Sequence, residues 1–371
     1  FIHSTLGDLF AIRLGSELCK TGQKALGHPK LILMNSSTHS IDEWKVPAKR
    51  ALDLLKQLIA NKSYSGQEQE TALLLEKNLQ SHGFEVERIQ NNVLARGKHW
   101  VDGAPVLLLN SHHDTVRATS NWDTDPFEPV ELDGKLLGLG SNDAGGALVC
   151  LLATFVYFYE QKNMAYNLVI AATAEEETSG PNGLNSLLPT LPTIDTAIVG
   201  EPTQMHLAVA EKGLVVFDAT ISGTASHAAH PNDDNPIYKI GKVIDWFKGF
   251  KFDRVSEALG PVKLTVTQIK GGKQHNAVPA DVKLVLDVRV NDLYTNQEIC
   301  DLLQEAPCKV EARSLRLSSS SIPMEHPIVK AGIAAGRNAY GSPTLSDQAV
   351  LSCSSLKLGP GDSLRSHTAD E

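Results

Sequence analysis

Five acidic or histidine side chains lie where predicted buried strands end or where helices begin, a placement that suits metal binding. They are His112, Asp143, Glu177, Glu201 and His367. His112 follows the apolar run 106–109, which has the length and bulk of a buried parallel strand. In open α/β sheets, ligands bind beyond the carboxyl ends of such strands. Two histidines and three carboxylates are too many for one tetrahedral zinc ion and suit a bridged pair.

Two further carboxylates stand beside these candidate ligands. Asp114 comes two residues after His112, so both side chains can leave the strand end on the same side. A nearby carboxylate is what orients a metal-binding imidazole. Glu176 stands beside Glu177 with nothing to bind, and a general base for a metal-bound water would lie there.

Each acidic candidate also has a simpler interpretation. Asp143 precedes an apolar helix predicted over 144–161, where an aspartate is a good N-cap. The acidic run 175–177 could be a solvated surface run, and Glu201 alone means little. However, 175–177 directly follow a buried strand over 168–172, where crowded negative charge requires cations. Because successive buried strands end in acidic residues, the metal-site interpretation is favoured.

Composition excludes several function classes. The 371 residues are 42% hydrophobic, enough for a sizeable core, and the formal charge is −9 without any basic run. Nucleic acid and anionic membranes are therefore poor partners. The five cysteines are scattered and form no C-x-x-C pair, which is typical of reduced thiols in a cytoplasmic protein. No apolar run reaches the roughly 18 residues of a membrane span.

The chain predicts a catalytic domain interrupted by a second domain. Residues 1–33 lack a clear period and are expected to be an extension outside the fold. A helix is predicted after Pro47, and the turn 63–66 should cap a second helix that stops at Gly83. One strand is expected over 84–96. From 212 to 320 the order strand, helix, two strands, helix, strand predicts a ferredoxin-like sandwich, with Thr295 and Glu298 as a capping box. A helix over 327–340 should follow it.

At this point the sequence resembles a known family, the dizinc amidohydrolases and peptidases related to acetylornithine deacetylase, succinyl-diaminopimelate desuccinylase, carboxypeptidase G and aminoacylase. The resemblance covers residues from about 50 to 371. Its motifs, in order, are S-H-H-D-T-V (111–116), G-S-N-D (140–143), T-A-E-E-E-T-S (173–179), G-E-P-T (200–203), G-T-A-S-H-A-A-H-P (223–231), N-A-V-P (276–279) and G-P-G with H-T-A-D-E. Each motif is weak singly, but seven in this order are a strong match.

The resemblance implies the ligand sets. His112, Asp143 and Glu201 would hold one zinc ion, and Asp143, Glu177 and His367 the other, with Asp143 bridging. Two Zn²⁺ per subunit are expected, and Co²⁺ could substitute.

The resemblance also implies roles for residues around the metals. Asp114 would fix the His112 tautomer, and Glu176 would move the proton. The Asp143–Ala144 bond is a candidate cis peptide. His227 would be the oxyanion donor that reaches an active site across a dimer interface, although without the other motifs it would be interpreted as a surface histidine.

The expected fold is α/β: a zinc-peptidase-like catalytic domain with a mixed, mostly parallel sheet between helices, plus an inserted ferredoxin-like α+β lid and dimerisation domain. The predicted divisions are an irregular extension (1–45), a first catalytic segment (46–211), the lid (212–320) and a second catalytic segment (321–371). Asn276 and Arg289 on the lid would bind the substrate, although Arg289 could equally be a salt-bridge partner. Relatives usually continue into a final helix, so we expect a truncated C-terminus.

The resemblance favours metal-dependent removal of an N-acyl group, acetyl or succinyl, from ornithine or citrulline in arginine biosynthesis. Succinyl-diaminopimelate desuccinylase and dipeptidase or carboxypeptidase activities are the alternatives. Leu139 and Gly145 stand where many relatives have Arg and Lys, which loosens the subfamily assignment without removing a ligand. A catalytically silent metal-binding protein is the alternative of another class. The expected protein is a cytoplasmic homodimer that acts on a small N-acyl amino acid.

Overall fold

The computed structural model describes residues 41–371, with side chains from residue 45 onward. The predicted extension over 1–33 lies outside these residues. Two compact units are present: unit 1 runs to Val209 and resumes with Ile322–Tyr340 and Ser346–Glu371, and unit 2 comprises Ala210–Ser321 and Gly341–Leu345.

Unit 1 alternates helices with strands along the chain. The helices are α1 (Ile41–Ile59), α2 (Gln69–Ser81), α3 (Gly146–Phe158), α4 (Leu184–Leu187) and α7 (Pro327–Ala334). The strands are β1 (Val86–Ile89), β2 (Asn92–Arg96), β3 (Val106–His112), β4 (Val130–Leu132), β5 (Lys135–Leu137), β6 (Asn167–Thr173), β7 (Thr196–Val199) and β17 (Ser354–Lys357), while β8 (Leu207–Glu211) and β16 (Ala339–Ser342) each run across a unit boundary.

The centre of the sheet in unit 1 is parallel. Its strand order begins β1-β2-β6-β3-β7-β17-β8. The pairs β6–β3, β3–β7 and β7–β17 are parallel, whereas β1–β2, β2–β6 and β17–β8 are antiparallel. The mixed, mainly parallel sheet expected from the sequence is confirmed.

The strands that carry the candidate ligands are buried along their whole length. Every residue of β3, β6 and β7 is buried, because helices cover both faces of a parallel sheet. Helix α3 is part of that core, with Leu148, Leu151 and Phe155 almost fully enclosed. Contrary to the prediction from the sequence, the stretch Ser141–Phe158 has the length and composition of a membrane span, but 67% of it is buried inside the unit, as in the core helix of a globular unit.

Several predicted boundaries in unit 1 are wrong. Helix α1 begins at Ile41 and contains Pro47 in its interior, so residues 41–45 are helical and not irregular. Residues 84–96 form the hairpin β1–β2 instead of one strand, with Gln90 at φ 55° in its turn. The N-cap of α2 is Glu68, outside the predicted turn. Helix α7 ends at Ala334, and residues 339–342 form β16 in place of the predicted helix end.

Unit 2 is an antiparallel sheet with two helices. Its elements are β9 (Gly213–Ser222), β10 (Ser226–His227), α5 (Pro236–Gly249), β11 (Lys263–Gly271), β12 (Ala277–Val278), β13 (Asp281–Val290), α6 (Asn296–Leu303), β14 (Lys309–Ala312) and β15 (Ser320–Ser321). The sheet order β11-β13-β9-β14 is ferredoxin-like. Thr295 and Glu298 form the predicted capping box of α6. The last strand of the predicted order is β14, which ends at Ala312.

Candidate metal centre

His112 is the last residue of β3, and its ring is 1% exposed. Its Nδ1 lies 3.0 Å from the backbone oxygen of Asp114 and 3.4 Å from Asp114 Oδ1. Both neighbours are acceptors, so Nδ1 carries a proton and Nε2 is the nitrogen available to bind a metal. Nε2 lies 3.3 Å from Asp143 Oδ1 and 3.9 Å from Glu201 Oε1. The imidazole is thus oriented with its metal-binding nitrogen towards two carboxylates.

Asp143 stands between two groups of possible ligand atoms. It lies in the irregular turn Ser141–Gly145 that opens α3, and its peptide bond to Ala144 is cis, as the resemblance implies. One group joins it to His112 and Glu201, and the other joins it to Glu177 and His367. Within each group the candidate atoms all lie within 4.8 Å of one another. The structure therefore brings together all five candidate ligands named from the sequence, with Asp143 in both groups.

The second group is more exposed than the first. The His367 side chain is 51% exposed, and its Nε2 lies 2.8 Å from Glu177 Oε2 and 3.7 Å from Asp143 Oδ2. His367 has a φ of 62°, in the left-handed region, so its position depends on the loop that holds it. The histidine of this half is therefore held by a loop and not by a buried strand.

Asp114 organises the acidic run as well as His112. Its Oδ1 accepts the backbone N–H of Glu176 at 3.1 Å, and its Oδ2 accepts that of Glu177 at 3.1 Å and the hydroxyl of Ser65 at 2.6 Å. Burial raises the pKa of Asp114, but its hydrogen bond to His112 and the charge of that ring outweigh burial and lower the pKa overall. Asp114 thus fixes the backbone of the candidate base and of one ligand.

The carboxylates of the site are unfavourable together without a cation. Burial and then the charge of Asp143 raise the pKa of Glu201 to about 8. Burial and neighbouring carboxylates likewise raise the pKa of Glu176 well above its ordinary value, although His112 opposes the shift. Glu201 Oε1 is buried and has no hydrogen-bond partner among residues 45–371. An orphaned carboxylate oxygen beside an aligned imidazole nitrogen is a donor set that fits zinc.

The two histidines respond to the same negative charge. Burial alone would lower the pKa of His112, but Glu176, Asp114 and Asp143 raise it well above its usual value. The hydrogen bond to Glu177 raises the pKa of His367 to about 9. In the metal-free chain, protons thus compensate the carboxylates, and two zinc ions would take over that role.

Asp347 is a buried carboxylate of the site that the sequence did not reveal. Its Oδ2 accepts the hydroxyl of Thr173 at 2.6 Å, and the amide nitrogen of Asn110, in the orientation that satisfies its neighbours, donates to the same oxygen at 3.2 Å. Burial raises the pKa of Asp347 to about 6. Because Asn110 and Thr173 lie near the ends of β3 and β6, Asp347 joins the two strands that present His112 and the acidic run. In the sequence, Asp347 stands in the short stretch S-D-Q (346–348). No apolar run precedes this stretch, so nothing marks Asp347 as a residue at the end of a buried strand.

Glu371 holds the exposed half of the site. Its Oε2 accepts the backbone N–H of His367 at 3.1 Å, and its Oε1 accepts that of Gly140 at 2.9 Å. Burial raises the pKa of Glu371 to about 7. One side chain therefore connects the His367 loop to the turn that carries Asp143. In the sequence, Glu371 is visible only as the last letter of the H-T-A-D-E motif, and no role could be inferred for it.

The three remaining predicted residues belong to unit 2. His227 is exposed in β10, and its Nδ1 accepts the backbone N–H of Ala229 at 3.1 Å, so its Nε2 carries the proton and can donate. Asn276 is hydrogen-bonded through its backbone oxygen to Ala228 and immediately precedes β12, which pairs with β10. Arg289 forms two hydrogen bonds with Asp287, at 2.8 and 3.0 Å. This pairing agrees with the alternative interpretation of Arg289 as a salt-bridge partner.

Comparison with known proteins identifies relatives over most of the chain. The sequence profile of Peptidase family M20/M25/M40 matches residues 108–371. The chain is 30% identical to a succinyl-diaminopimelate desuccinylase of Beijerinckia indica over 275 residues, which are 68% of this chain and 71% of that protein. It is 28% identical to the desuccinylase of Shewanella pealeana, over 68% of this chain and 70% of that protein.

Solved structures share the fold at low sequence identity. A tripeptidase from Staphylococcus aureus has a TM-score of 0.65 at 21% identity, with 84% of this chain and 89% of that chain covered. The YXEP protein of Bacillus subtilis, described as a dinuclear metal-binding peptidase, has a TM-score of 0.62 at 14% identity, with 85% and 89% covered. At these identities the likeness shows the fold alone.

Proposed function

The chain belongs to peptidase family M20/M25/M40, and on that premise we propose that it is a zinc-dependent hydrolase that removes an N-acyl group from an amino acid. One observation carries the proposal: two groups of ligand atoms share Asp143, and the carboxylate of Glu176 lies 3.9 Å from His112 Nε2 without belonging to either group. A dinuclear site with a spare carboxylate beside it is suited to hydrolysis.

The proposed reaction begins with a poor electrophile and a poor nucleophile, an amide and water. Zinc ions held by the two groups of candidate ligands would polarise the amide carbonyl and lower the pKa of the attacking water. Glu176 accepts the proton of the attacking water and delivers it to the leaving nitrogen. The products are a free carboxylate and a free amine. Asp114 keeps Glu176 in place, through the backbone N–H that it accepts.

The proposed substrate is an N-succinyl amino acid, with N-succinyl-diaminopimelate as the first candidate. The support is the named activity of the relatives from Beijerinckia indica and Shewanella pealeana. The sequence motifs instead favoured N-acyl conjugates of ornithine or citrulline and a role in arginine biosynthesis. The two relatives are named as desuccinylases of another substrate and do not support that preference. The run T-A-E-E-E-T-S at 173–179 keeps acyl-ornithine and acyl-citrulline as the second candidate.

We also propose a homodimer in which unit 2 acts as lid and His227 donates a hydrogen bond to the oxyanion in the partner's site. The support is the proton on Nε2 of His227 and its exposure in unit 2. Mixing His227→Ala with Glu176→Gln should restore part of the activity through hybrid dimers. No restoration, with subunit exchange demonstrated, would place His227 in its own subunit's site or outside catalysis.

The substrate is tested by turnover of the purified, zinc-loaded protein with and without chelator. The panel contains succinyl-diaminopimelate, N-acetylornithine, N-acetylcitrulline, N-succinylornithine and a plain dipeptide. Chelator-sensitive hydrolysis that is fastest on the diaminopimelate conjugate is expected. Fastest turnover of an ornithine or citrulline conjugate would select the second candidate. Two bound zinc ions without turnover of any panel member would contradict the proposed function and favour a silent metal-binding protein.

A further inference from the structure

Two cations and two aromatic rings form a cluster in unit 1 that the proposed reaction does not use. The Arg117 guanidinium carbon lies 4.8 Å from the centre of the Tyr64 ring, and Lys62 Nζ lies 4.7 Å from the centre of the Phe127 ring. The two rings meet edge to face at 6.2 Å. We call Lys62, Tyr64, Arg117 and Phe127 the cation–aromatic cluster. Each cation is held by the face of a ring, which fixes its position while its charge stays at the surface.

The two segments that carry the cluster are tied to each other and to a residue of the metal centre. Tyr64 precedes Ser65, whose hydroxyl donates to Asp114 at 2.6 Å. Tyr64 also bridges to Thr115, two residues before Arg117, and Thr115 N–H donates to the Ser63 oxygen at 2.7 Å. The position of Arg117 is thus fixed relative to the buried carboxylate that orients His112.

The far end of the same loop is tied to the other half of the site. Thr124 donates to Asp370 Oδ1 through its hydroxyl at 2.9 Å and through its backbone N–H at 3.2 Å. Asp370 comes three residues after His367, the exposed candidate ligand. The segment from Arg117 to Phe127 begins three residues after Asp114 and is hydrogen-bonded to Asp370, so it is anchored beside both halves of the metal centre.

The guanidinium of Arg117 has unused hydrogen-bonding capacity. A second arginine of the chain, Arg254, is also stacked on a tyrosine, at 3.9 Å from the Tyr294 ring, but its guanidinium binds Glu298 and the Leu293 oxygen. Among residues 45–371, Arg117 forms no hydrogen bond or ion pair, and Lys62 forms none either. Arginine fixed on a ring, with its planar donors free, is suited to bidentate recognition of a carboxylate.

We propose that Arg117, supported by Tyr64 and accompanied by Lys62, forms a subsite for a carboxylate of the substrate. The inference rests on the proposed function, because an N-acyl amino acid carries such a group. The chain's net charge is −9, so two exposed cations on segments tied to an acidic site oppose the prevailing charge. The carboxylate can come from the acyl group, as in a succinyl conjugate, or from the amino acid. Both sources offer the same chemistry to a guanidinium.

The test compares Arg117→Ala with wild type, both zinc-loaded, on three substrates. They are N-succinylornithine, N-acetylornithine and N-acetylornithine with its α-carboxylate converted to a carboxamide. Arg117→Ala should lower kcat/KM by about tenfold to a hundredfold on the substrate whose carboxylate it contacts, because a charge-assisted pair is lost. Arg117→Lys should restore only part of the loss, and Lys62→Ala should show a smaller loss with the same selectivity. Lys77→Ala on α2, which removes an exposed charge outside the cluster, should change nothing.

Each pattern of loss has one meaning. A loss confined to the succinyl conjugate assigns the subsite to the acyl carboxylate. A loss of kcat/KM on N-succinylornithine and on N-acetylornithine, but not on the carboxamide, assigns the subsite to the carboxylate of the amino acid. An equal loss on all three substrates, or no loss on any, overturns the subsite.

A separate measurement distinguishes failure of the subsite from failure of the proposed function. If wild type hydrolyses none of the three substrates, the proposed function fails on these compounds. Calorimetric binding of succinate to zinc-loaded protein then tests the subsite directly. Arg117→Ala should weaken this binding about tenfold relative to Lys77→Ala, since both variants lose one positive charge. Equal binding by the two variants would overturn the proposal.

Discussion

The two halves of the candidate metal centre are built in different ways. The His112 half stands on the end of a buried strand, and its histidine is 1% exposed and oriented by Asp114. The His367 half stands on a loop, and its histidine is 51% exposed and held through its backbone by Glu371. Asp143 is common to both.

The two halves are therefore preorganised for metal binding to different degrees, although they share Asp143. The strand cannot move without disturbing the sheet, so the His112 half keeps its geometry without metal. The loop can move, so the His367 half has to be ordered when metal binds, at a cost in affinity. We expect the His112 half to bind zinc more tightly.

The largest expected effect comes from the residue that belongs to neither half. Glu176→Gln keeps size and removes the base, so turnover should fall by about 10²–10⁴-fold while two zinc ions stay bound. Turnover by wild type and variant, with metal analysis of both, checks this. Loss of a zinc ion from Glu176→Gln would mean that ligand and base have been exchanged.

The supports of the two halves provide the next test. Asp114→Asn should weaken zinc binding at the His112 half by about 10–100-fold, because the imidazole loses its orienting carboxylate. Glu371→Gln should weaken the His367 half more than the His112 half. Competition with a chelator of known affinity measures both constants. If the two variants weaken the same zinc ion, the halves do not have separate supports.

The dependence of stability on pH gives a third test. The pKa of Glu201 is raised to about 8 and that of Glu371 to about 7, each chiefly by burial, and the hydrogen bond to Glu177 raises the pKa of His367 to about 9. A group whose pKa is higher in the folded than in the unfolded protein stabilises the folded protein at low pH. This stabilisation is lost as the pH rises through the pKa of the folded protein. Metal-free protein should therefore lose thermal stability from about pH 5 to pH 9.

Zinc would replace the protons on the candidate ligands Glu201 and His367, so zinc-loaded protein should show a smaller loss. The gap in Tm between the loaded and metal-free forms should widen with pH across this window. Scanning calorimetry of both forms at several pH values measures it. A gap that stays constant would contradict the proton compensation.

A smaller effect is expected at Asp347. Asp347→Asn keeps an acceptor for the Thr173 hydroxyl and removes the charge that both neighbours contact, so turnover should fall by about threefold to tenfold with both zinc ions retained. Thr173→Ser is the matched control, since it keeps the hydroxyl, and should be close to wild type. Loss of zinc from Asp347→Asn would show a ligand role instead.

What the sequence could predict followed from local signals. Each buried strand is marked by its apolar run, and the polar residues that close the strand can be named, as with His112. Thr295 and Glu298 form a capping box across one helical turn, and this too was predicted correctly. The division of the five candidate ligands into two sets came from the family resemblance, because their spacing in the sequence does not show which of them share a metal ion.

The remainder depends on contacts between distant segments. Asp347 contacts Thr173 across 174 positions of the chain, and Thr124 contacts Asp370 across 246. No local pattern encodes such pairs. The β1–β2 hairpin was missed for another reason: Gln90 takes a φ of 55° without the glycine that usually marks this kind of turn.

The most direct test of a bridged pair with unequal halves is the number of zinc ions held by three proteins: wild type, His367→Ala and His112→Ala. Native mass spectrometry after zinc loading and mild chelation counts the ions per chain. We predict two ions in wild type and one, still tightly bound, in His367→Ala. In His112→Ala we predict that the tight ion is lost. One ion in wild type, or the same retention in both variants, would contradict a bridged pair with unequal halves.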